Sequence, residues 1–549
     1  MAHHSIRNRT LTLSVEFGSL TAVLDYVREE LAAWRLSEQH IRECVLVSEE
    51  LFVKILDAAP GAELRLTTVR RAGGLELRFS FDGSFFPLPV EGDPDPGSKI
   101  LLRYSDQLQS EYRRGTNQVS LAVRASYSRF TTLSLILLGC GLALGAILYY
   151  IPALSGFSAW LCSGLLDPIL ELYVKALGTI AGPTAFFLLA YNLSSMTKKT
   201  DRQPVIRSFF LRSLLTSLAA IVLGVALCGL SWPLWSKISL GVGAGGATGE
   251  GTVFSSFWEI ILCAIPDNIL SPFTESFSLP LLCLAIVTGI SVPTVGRYAD
   301  TLHNALDALH ALFSRMLAVI FSFAPWLLGL ESLVLTTRSG LRPLLFYLLI
   351  TILLIVGSAL LSAVFSLSLM LRGFRPGALL RQMSTTLVTI FRIGSSVEAV
   401  PCTVRSCRRL LRLPVDYLDA VIPLGATVNM DGMCLSLTIL ALTLAQACGQ
   451  PPDLSSVAIL LPMILILSMG APTEPGGILI GMLVLLPQLG LSSELMLLAL
   501  PIEILSGNFM TVLDVAGDII LSVCCAYDTK LIPNASGRFR GKRRDSDAV

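Results

Sequence analysis

The pattern of apolar and polar positions changes character once along the chain. Over residues 1–125, apolar positions are interspersed with charges at strand and helix spacings. Leu11–Val15, Leu64–Val69 and Leu75–Phe81 alternate as half-buried strands do, and Val119–Val123 reads as a last strand. Thr21–Trp34 and Glu38–Leu56 carry apolar residues at helical spacing. These elements predict a small α+β sandwich with helices on one sheet face. From about Phe130 the apolar runs reach bilayer-spanning length, roughly 20 residues. The predicted runs are Phe130–Tyr150, Asp167–Met196, Phe209–Cys228, Trp258–Val292, Leu312–Leu335, Leu344–Met370, Leu418–Ala447 and Leu495–Tyr527.

Polar breaks inside these runs carry the functional signal. Leu418–Ala447 is interrupted by Asn429-Met430-Asp431-Gly432, and polar residues inside a bilayer are costly unless they line a site. Ser384–Val404 is short and mixed, with Gly394-Ser395-Ser396-Val397-Glu398 at its middle. Val457–Leu483 is broken by Gly470-Ala471-Pro472-Thr473-Glu474-Pro475-Gly476-Gly477. Two broken segments around a helix with an unwound centre is the plan of a secondary transporter. A channel would repeat a pore-lining filter, which the sequence lacks. The fold class expected is a multi-pass α-helical membrane protein with two re-entrant hairpins, plus the small N-terminal domain.

Composition agrees with that division. Of 549 residues, 53% are hydrophobic and 15% charged, against about 25% charged in soluble domains. A net charge of +1 and no basic stripe with interleaved aromatics give no case for nucleic acid. The twelve cysteines are scattered without a CxxC pair, so buried free thiols are expected rather than a metal centre. The first twenty residues lack an apolar core, so no signal peptide is expected and the first domain starts in the cytoplasm. Arg124, Arg129, Lys198, Lys199, Arg202, Arg207, Arg297, Arg372, Arg375, Arg405, Arg408, Arg409 and Arg412 fall on one side if the two broken segments are hairpins. That side is the cytoplasm by the positive-inside rule, with Arg338 and Arg342 as exceptions. A bacterial inner membrane with both termini inside is the expected location, and the basic tail 531–549 then lies inside too.

The stretch Pro423-Leu424-Gly425-Ala426-Thr427-Val428-Asn429-Met430-Asp431-Gly432, followed by Gly517-Asp518 in the last helix, resembles the sodium:dicarboxylate (glutamate) symporter family over about residues 131–530. The resemblance implies a glutamate-transporter-like homotrimer, with scaffold-rich helices over 131–376 and a mobile transport core over 377–530. It implies one Na+ site from Thr216, Ser217, Asn429 and Asp431, with Ser213 where the family has Tyr. A second would use Asp514, Asp518 and carbonyls near Asn429; the family has Asn at position 514. A third would use Thr427, Met430 and the backbone of Ser468, Met469 and Ala471, closed by a gate hinged at Gly470, Gly476 and Gly477. Na+ is a hard cation that takes carboxylate, hydroxyl and carbonyl oxygens.

The solute positions depart from the family. Ser395, Ser396 and Thr511 survive. Met510 replaces the Arg that grips a side-chain carboxylate, Gly507 replaces the Asp that holds an amino group, and Met433 replaces a Thr. With Asp514 nearby, Glu398 and Glu474 added, and Glu503 where the family has Asp, a dianion lacks its bidentate partner. Aspartate and glutamate are therefore disfavoured. A neutral solute, a small amino acid, a monocarboxylate or a cation stays open. So do two placements of the hairpin glutamates: in water at the hairpin mouths, or facing the cavity.

The N-terminal domain resembles the histidine-kinase-type ATPase fold of anti-sigma-factor kinases, in degenerate form. Glu49-Glu50-Leu51-Phe52-Val53-Lys54, Phe81-Asp82-Gly83 and Glu111–Asn117, read as the turn before the last strand, carry the likeness. Lys54 stands where that family has a Mg2+-binding Asn, and an ammonium cannot ligate a metal. Residues 91–97 lack a phosphate lid. Both argue against Mg2+-ATP and for a docking or sensing role with a cytoplasmic regulatory partner. The functional expectation is Na+-coupled symport of a small organic solute, not an enzymatic reaction. A non-transporting receptor, or a sensor run through the N-terminal domain, is the alternative.

Overall fold

A computed structural model describes residues 10–33, 38–71, 74–84, 86, 101, 108–113, 115–123, 127–196, 203–235, 262, 265–266, 268–274, 279–411, 413–449, 454–470 and 476–529. The chain forms two compact units, Met1–Phe130 and Thr131–Val549.

In the first unit, alternating sequences build β1 (Thr10–Ser14), β2 (Glu63–Arg71), β3 (Gly74–Asp82), β4 (Leu108–Arg113) and β5 (Thr116–Val123). They form one antiparallel sheet in the order β1-β2-β3-β5-β4. Helices α1 (Leu20–Ala33) and α2 (Glu38–Ala58) turn Val23, Val27, Leu31, Leu51, Phe52 and Ile55 into the same core as Leu64, Leu66, Leu77, Phe79 and Leu121. Strand β4 was not expected: residues 111–117 read as a turn. Its sequence Leu-Gln-Ser-Glu-Tyr-Arg contains one buried apolar anchor, Leu108, and owes its strand form to pairing with β5 around Gly115, whose φ is +89°. Buried Asn117 ties the end of β3 down: its Oδ1 accepts from Phe86 N (2.8 Å) and its Nδ2 donates to Ser84 O (2.8 Å). Thr116 Oγ1 donates to Asp82 Oδ1 at 2.7 Å.

The second unit is helical, and seven of its described segments are long and apolar enough to cross a membrane. Its main helices are α3 (Tyr127–Tyr150), α4 (Asp167–Met196), α5 (Gln203–Trp235), α6 (Leu279–Ser291), α7 (Ala299–Phe321), α8 (Ala324–Ser339) and α9 (Arg342–Met370). They continue with α10 (Pro376–Ile393), α11 (Ser396–Ser406), α12 (Val415–Val428), α13 (Asp431–Ala447), α14 (Leu454–Gly470), α15 (Gly477–Gln488) and α16 (Leu500–Asp528). One expected run differs: 312–335 is two helices broken at Ser322-Phe323. Pro325 explains it, because proline has no N–H to donate and its ring collides with the carbonyl four residues earlier, at Phe321. Of the Trp258–Val292 run, residues 258–261, 263–264, 267 and 275–278 lie outside the described residues.

Burial orders the helices. The most apolar stretch of 417–447 is wholly buried inside the unit and that of 493–528 largely so, whereas that of Phe130–Tyr150 is mostly exposed. A helix that is apolar on all sides but faces outward belongs against lipid. The segment with the most polar interruptions is thus the most enclosed.

Candidate functional site

The centre of the site is the gap between α12 and α13. Helix α12 ends at Val428, Asn429 and Met430 take non-helical backbone angles, and α13 restarts at Asp431. Such a gap leaves backbone groups without helical partners on both sides. Asp431 stands in the first turn of α13, where the positive end of the helix dipole favours a carboxylate.

Helix α5 meets this gap with three hydroxyls one turn apart. Ser213 Oγ and Thr216 Oγ1 donate to Asn429 Oδ1 at 3.0 and 3.1 Å, and Ser217 Oγ donates to Asp431 Oδ1 at 2.6 Å. The expected set Thr216, Ser217, Asn429 and Asp431 is therefore in one place, and Ser213 joins it. Helix α16 closes the other side. Asp514 Oδ1 accepts from Gly432 N at 2.6 Å. A Cβ on Gly425 would lie 2.4 Å from Asp518 Oδ1, and one on Gly432 would lie 2.8 Å from the Met510 carbonyl. These two positions need glycine because α12, α13 and α16 approach too closely for any side chain.

Asp431, Asp514 and Asp518 are 0, 4 and 1% exposed. Asp431 Oδ2, Asp518 Oδ1 and Asn429 Nδ2 are buried without a hydrogen-bond partner among the described residues. Burying a lone carboxylate costs several kcal/mol, so unpartnered carboxylate oxygens call for a proton or a cation. The donor set is all oxygen, from carboxylates, hydroxyls and an amide, which suits a hard monovalent ion and not a soft metal. No cluster of three or more His, Cys, Asp or Glu with metal-holding geometry occurs among the described residues.

The remaining expected residues are distributed as follows. Thr427 spends its hydroxyl on its own helix, donating to Leu424 O at 3.0 Å. Met430 is buried beside Asp431 in the gap. Ser468 Oγ donates to Leu465 O (2.9 Å), while the Met469 carbonyl accepts from Asn192 Nδ2 (3.0 Å). Ala471 and Glu474 lie outside the described residues, and so does the Gly470 side-chain environment. Gly476 has φ +107°, and Gly477 opens α15. Ser395 caps α11 by accepting from Glu398 N at 3.3 Å, and Ser396 is buried next to it. Met433 and Met510 are buried, and Ser358 Oγ approaches Met510 Sδ at 3.9 Å. Thr511 Oγ1 donates to Gly507 O at 3.1 Å.

Two contacts escaped sequence reasoning. Glu503 is buried, and its two oxygens accept from Gly476 N (2.8 Å) and Ile478 N (2.9 Å), capping α15 from α16. Asn192 reaches from α4 to α14. The available signal was the same for both: a polar side chain inside an otherwise apolar membrane run.

A C4-dicarboxylate transport protein 2 of Ralstonia nicotianae is 28% identical over 244 residues, 43% of this chain and 52% of its own length. A C4-dicarboxylate transport protein of Deinococcus radiodurans is 29% identical over 243 residues, 42% of this chain and 51% of its own length. The chain thus spans about half the length of these curated relatives. Residues 130–527, nearly the whole helical unit, match the family described as the sodium:dicarboxylate symporter family. A helix broken at Asn429–Asp431 and closed by α5 and α16 sits at the heart of that match, and the chain belongs to the sodium:dicarboxylate symporter family, a family of membrane transporters rather than enzymes.

Proposed function

We propose that this protein is a Na+-coupled secondary symporter of a small organic solute, working by alternating access. The observation that carries the reading is the convergence of Ser213, Thr216 and Ser217 on Asn429 and Asp431, with orphaned oxygens left on Asp431 and Asp518. Na+ at these oxygens offsets the cost of burying three acids. Segments 384–404 and 457–483 act as re-entrant hairpins, and 470–477 serves as the outer gate. The core 377–530 moves against helices of 131–376, in a homotrimer as in the family, within a bacterial inner membrane and with both termini in the cytoplasm.

The solute is not a dicarboxylate. Relatives are named for C4-dicarboxylate transport, but here Met510 occupies the place of the guanidinium fork and Asp514 adds negative charge. Met433 and Met510 offer soft, adaptable walls. A neutral or monocarboxylate solute fits this balance. The N-terminal unit serves as a degenerate ATPase-like domain that docks a regulatory partner. Support for that is an antiparallel sheet covered by α1 and α2, with Lys54 and not an Asn on α2.

The test is purified protein in sealed vesicles with an imposed Na+ gradient and a panel of neutral, anionic and cationic solutes. Uptake of a neutral or monoanionic solute, abolished in Asp431→Asn and Asp518→Asn, is expected. No solute movement, together with Na+ binding equal in wild type and both variants, sinks the symporter reading and leaves a non-transporting receptor.

A further inference from the structure

Helix α7 wears its polar side inward. Leu302, Leu309, Leu312, Met316 and Val319 are exposed along one side. His303, Asp307, His310 and Ser314 recur at helical spacing on the opposite, more buried side, and the helix packs on α4. The segment is long and apolar enough to cross a membrane. Ionisable side chains turned inward in such a helix mark a site, because burying them without one is costly.

Two of the five histidines of the chain meet one ring there. Tyr191 of α4 stacks on His303 with 5.1 Å between centroids and 20° between planes, and on His310 with 5.6 Å and 16°. Residues seven apart on a helix stand about 10.5 Å apart along its axis, so the phenol fills the space between the two imidazoles. Each imidazole also meets a hydroxyl. Ser194 Oγ lies 2.8 Å from His303 Nδ1, and Ser314 Oγ lies 3.3 Å from His310 Nδ1. Phe187 and Phe313 stack at 5.3 Å and extend the same α4–α7 contact.

We propose that the α4–α7 seam is a binding site for one proton, taken by His303, with Tyr191 as its positioning residue. A protonated imidazole over the face of Tyr191 is a cation over an aromatic ring, an attraction that strengthens away from water. An imidazolium has two N–H donors and no acceptor. Ser194 Oγ meets it as an acceptor while donating its own proton to the Tyr191 carbonyl at 2.9 Å. Asp300 and Asp307 stand one turn to either side of His303 on α7, whereas His310 has only Asp307 at that spacing. A second proton on His310 would set two positive charges about 10.5 Å apart, which lowers its affinity by roughly tenfold in a partly buried setting. Few other charges bear on the seam. Arg297, before α7, is engaged with Tyr298 Oη at 2.7 Å, and Arg315 is exposed. Helix α4 carries no charged side chain between Lys175 and its end at Met196, and α6 and α14, which pack on α4, add only the Cys283 thiol. Lys198 and Lys199 lie outside the described residues. The ring attraction clasps α7 to α4 at pH values where His303 is charged and is lost as pH rises. The site uses no residue of the Asn429–Asp431 gap and stands independently of the Na+ reading.

The experiment is a pH titration of the full chain in lipid bilayers, with only the histidine nitrogens labelled for NMR, where neutral and charged imidazoles give separate signals. It compares wild type, His303→Gln, His310→Gln, Tyr191→Leu and Tyr191→Phe, the two histidine variants also assigning the signals. Over about pH 5 to pH 8, His303 is expected to take up the proton while His310 stays neutral. In His303→Gln, His310 should bind a proton roughly tenfold more tightly than in wild type, because the competing charge is gone. Tyr191→Leu should lower the proton affinity of His303 about fivefold, and Tyr191→Phe, which keeps the ring, should restore it. A residue with only a packing role would leave that affinity in place. Both rings charging with equal midpoints, neither ring charging, His310 charging first, or His310 unmoved by His303→Gln overturns the one-proton site. An unchanged His303 affinity in Tyr191→Leu overturns the role of Tyr191, and Tyr191→Met, which also fills the space without a ring, serves if the Leu variant does not fold.

Discussion

Replacing Glu503 by Gln removes charge and one acceptor while keeping the size of the side chain. In the native protein, Oε1 accepts from Gly476 N at 2.8 Å and Oε2 from Ile478 N at 2.9 Å, both buried. A carboxamide can satisfy one of these donors; its NH2 then faces the other, donor against donor. A hydrogen bond to a charged acceptor contributes roughly 1.5–3 kcal/mol, and the favourable charge at the start of α15 is lost as well. A local cost of about 2 kcal/mol follows, equivalent to about a thirtyfold rise in local opening. Amide hydrogen exchange in nanodiscs reads this directly, because exchange of Ile478 and Leu479 reports opening of the first turn of α15. The expected pattern is acceleration of about thirtyfold confined to residues 476–480, with Val515–Ser522 of α16 unaffected. Unchanged exchange at 476–480, or acceleration spread evenly over the helical unit, would refute the view that Glu503 anchors the first turn of α15.

Other outcomes follow from the same geometry. Gly425→Ala places a Cβ 2.4 Å from Asp518 Oδ1, so the carboxylate or α12 must shift; Na+-dependent stabilisation should fall by more than tenfold in a melting titration, with the helical content by circular dichroism retained. Ser217→Ala removes the 2.6 Å bond to Asp431 Oδ1 and should weaken apparent Na+ affinity severalfold, with Ser217→Thr restoring part of it, read by Na+-dependent uptake. Asn117→Ala leaves Phe86 N and Ser84 O without their buried partner; a loss of about 2–4 kcal/mol in the N-terminal unit, seen as faster exchange across β3 and β5, is expected. The full chain should show no Mg2+-dependent ATP binding by calorimetry, and clear binding would overturn the reading of Lys54.

Much of the architecture was legible because the bilayer leaves few choices. Long apolar runs must be helices, since backbone groups in hydrocarbon find partners only within their own segment. Thus 342–370 and 500–528 fall within a few residues of the expected 344–370 and 495–527. The gap at Asn429–Asp431 was legible for the same reason, because no apolar helix needs those residues at its middle. Strand β4 was not legible, since an edge strand with one buried anchor is created by its neighbour β5 and not by its own pattern. The break before Pro325 was present in the sequence, but hydropathy alone carried the run through it.

The sequence by itself determined which residues could carry charge and oxygen ligands in the membrane. Tertiary structure alone decided which of them meet. Ser213, Thr216 and Ser217 lie more than two hundred positions from Asn429 and Asp431 and reach them only because α5 packs against the α12–α13 gap. Glu503 and Asn192 read equally well as isolated polar residues in apolar helices, and one caps α15 while the other donates to the Met469 carbonyl of α14. The physical reason is that hydrophobicity acts along the chain and is nearly non-directional, whereas a hydrogen bond or an ion ligand is fixed within tenths of an ångström by the packing of distant helices.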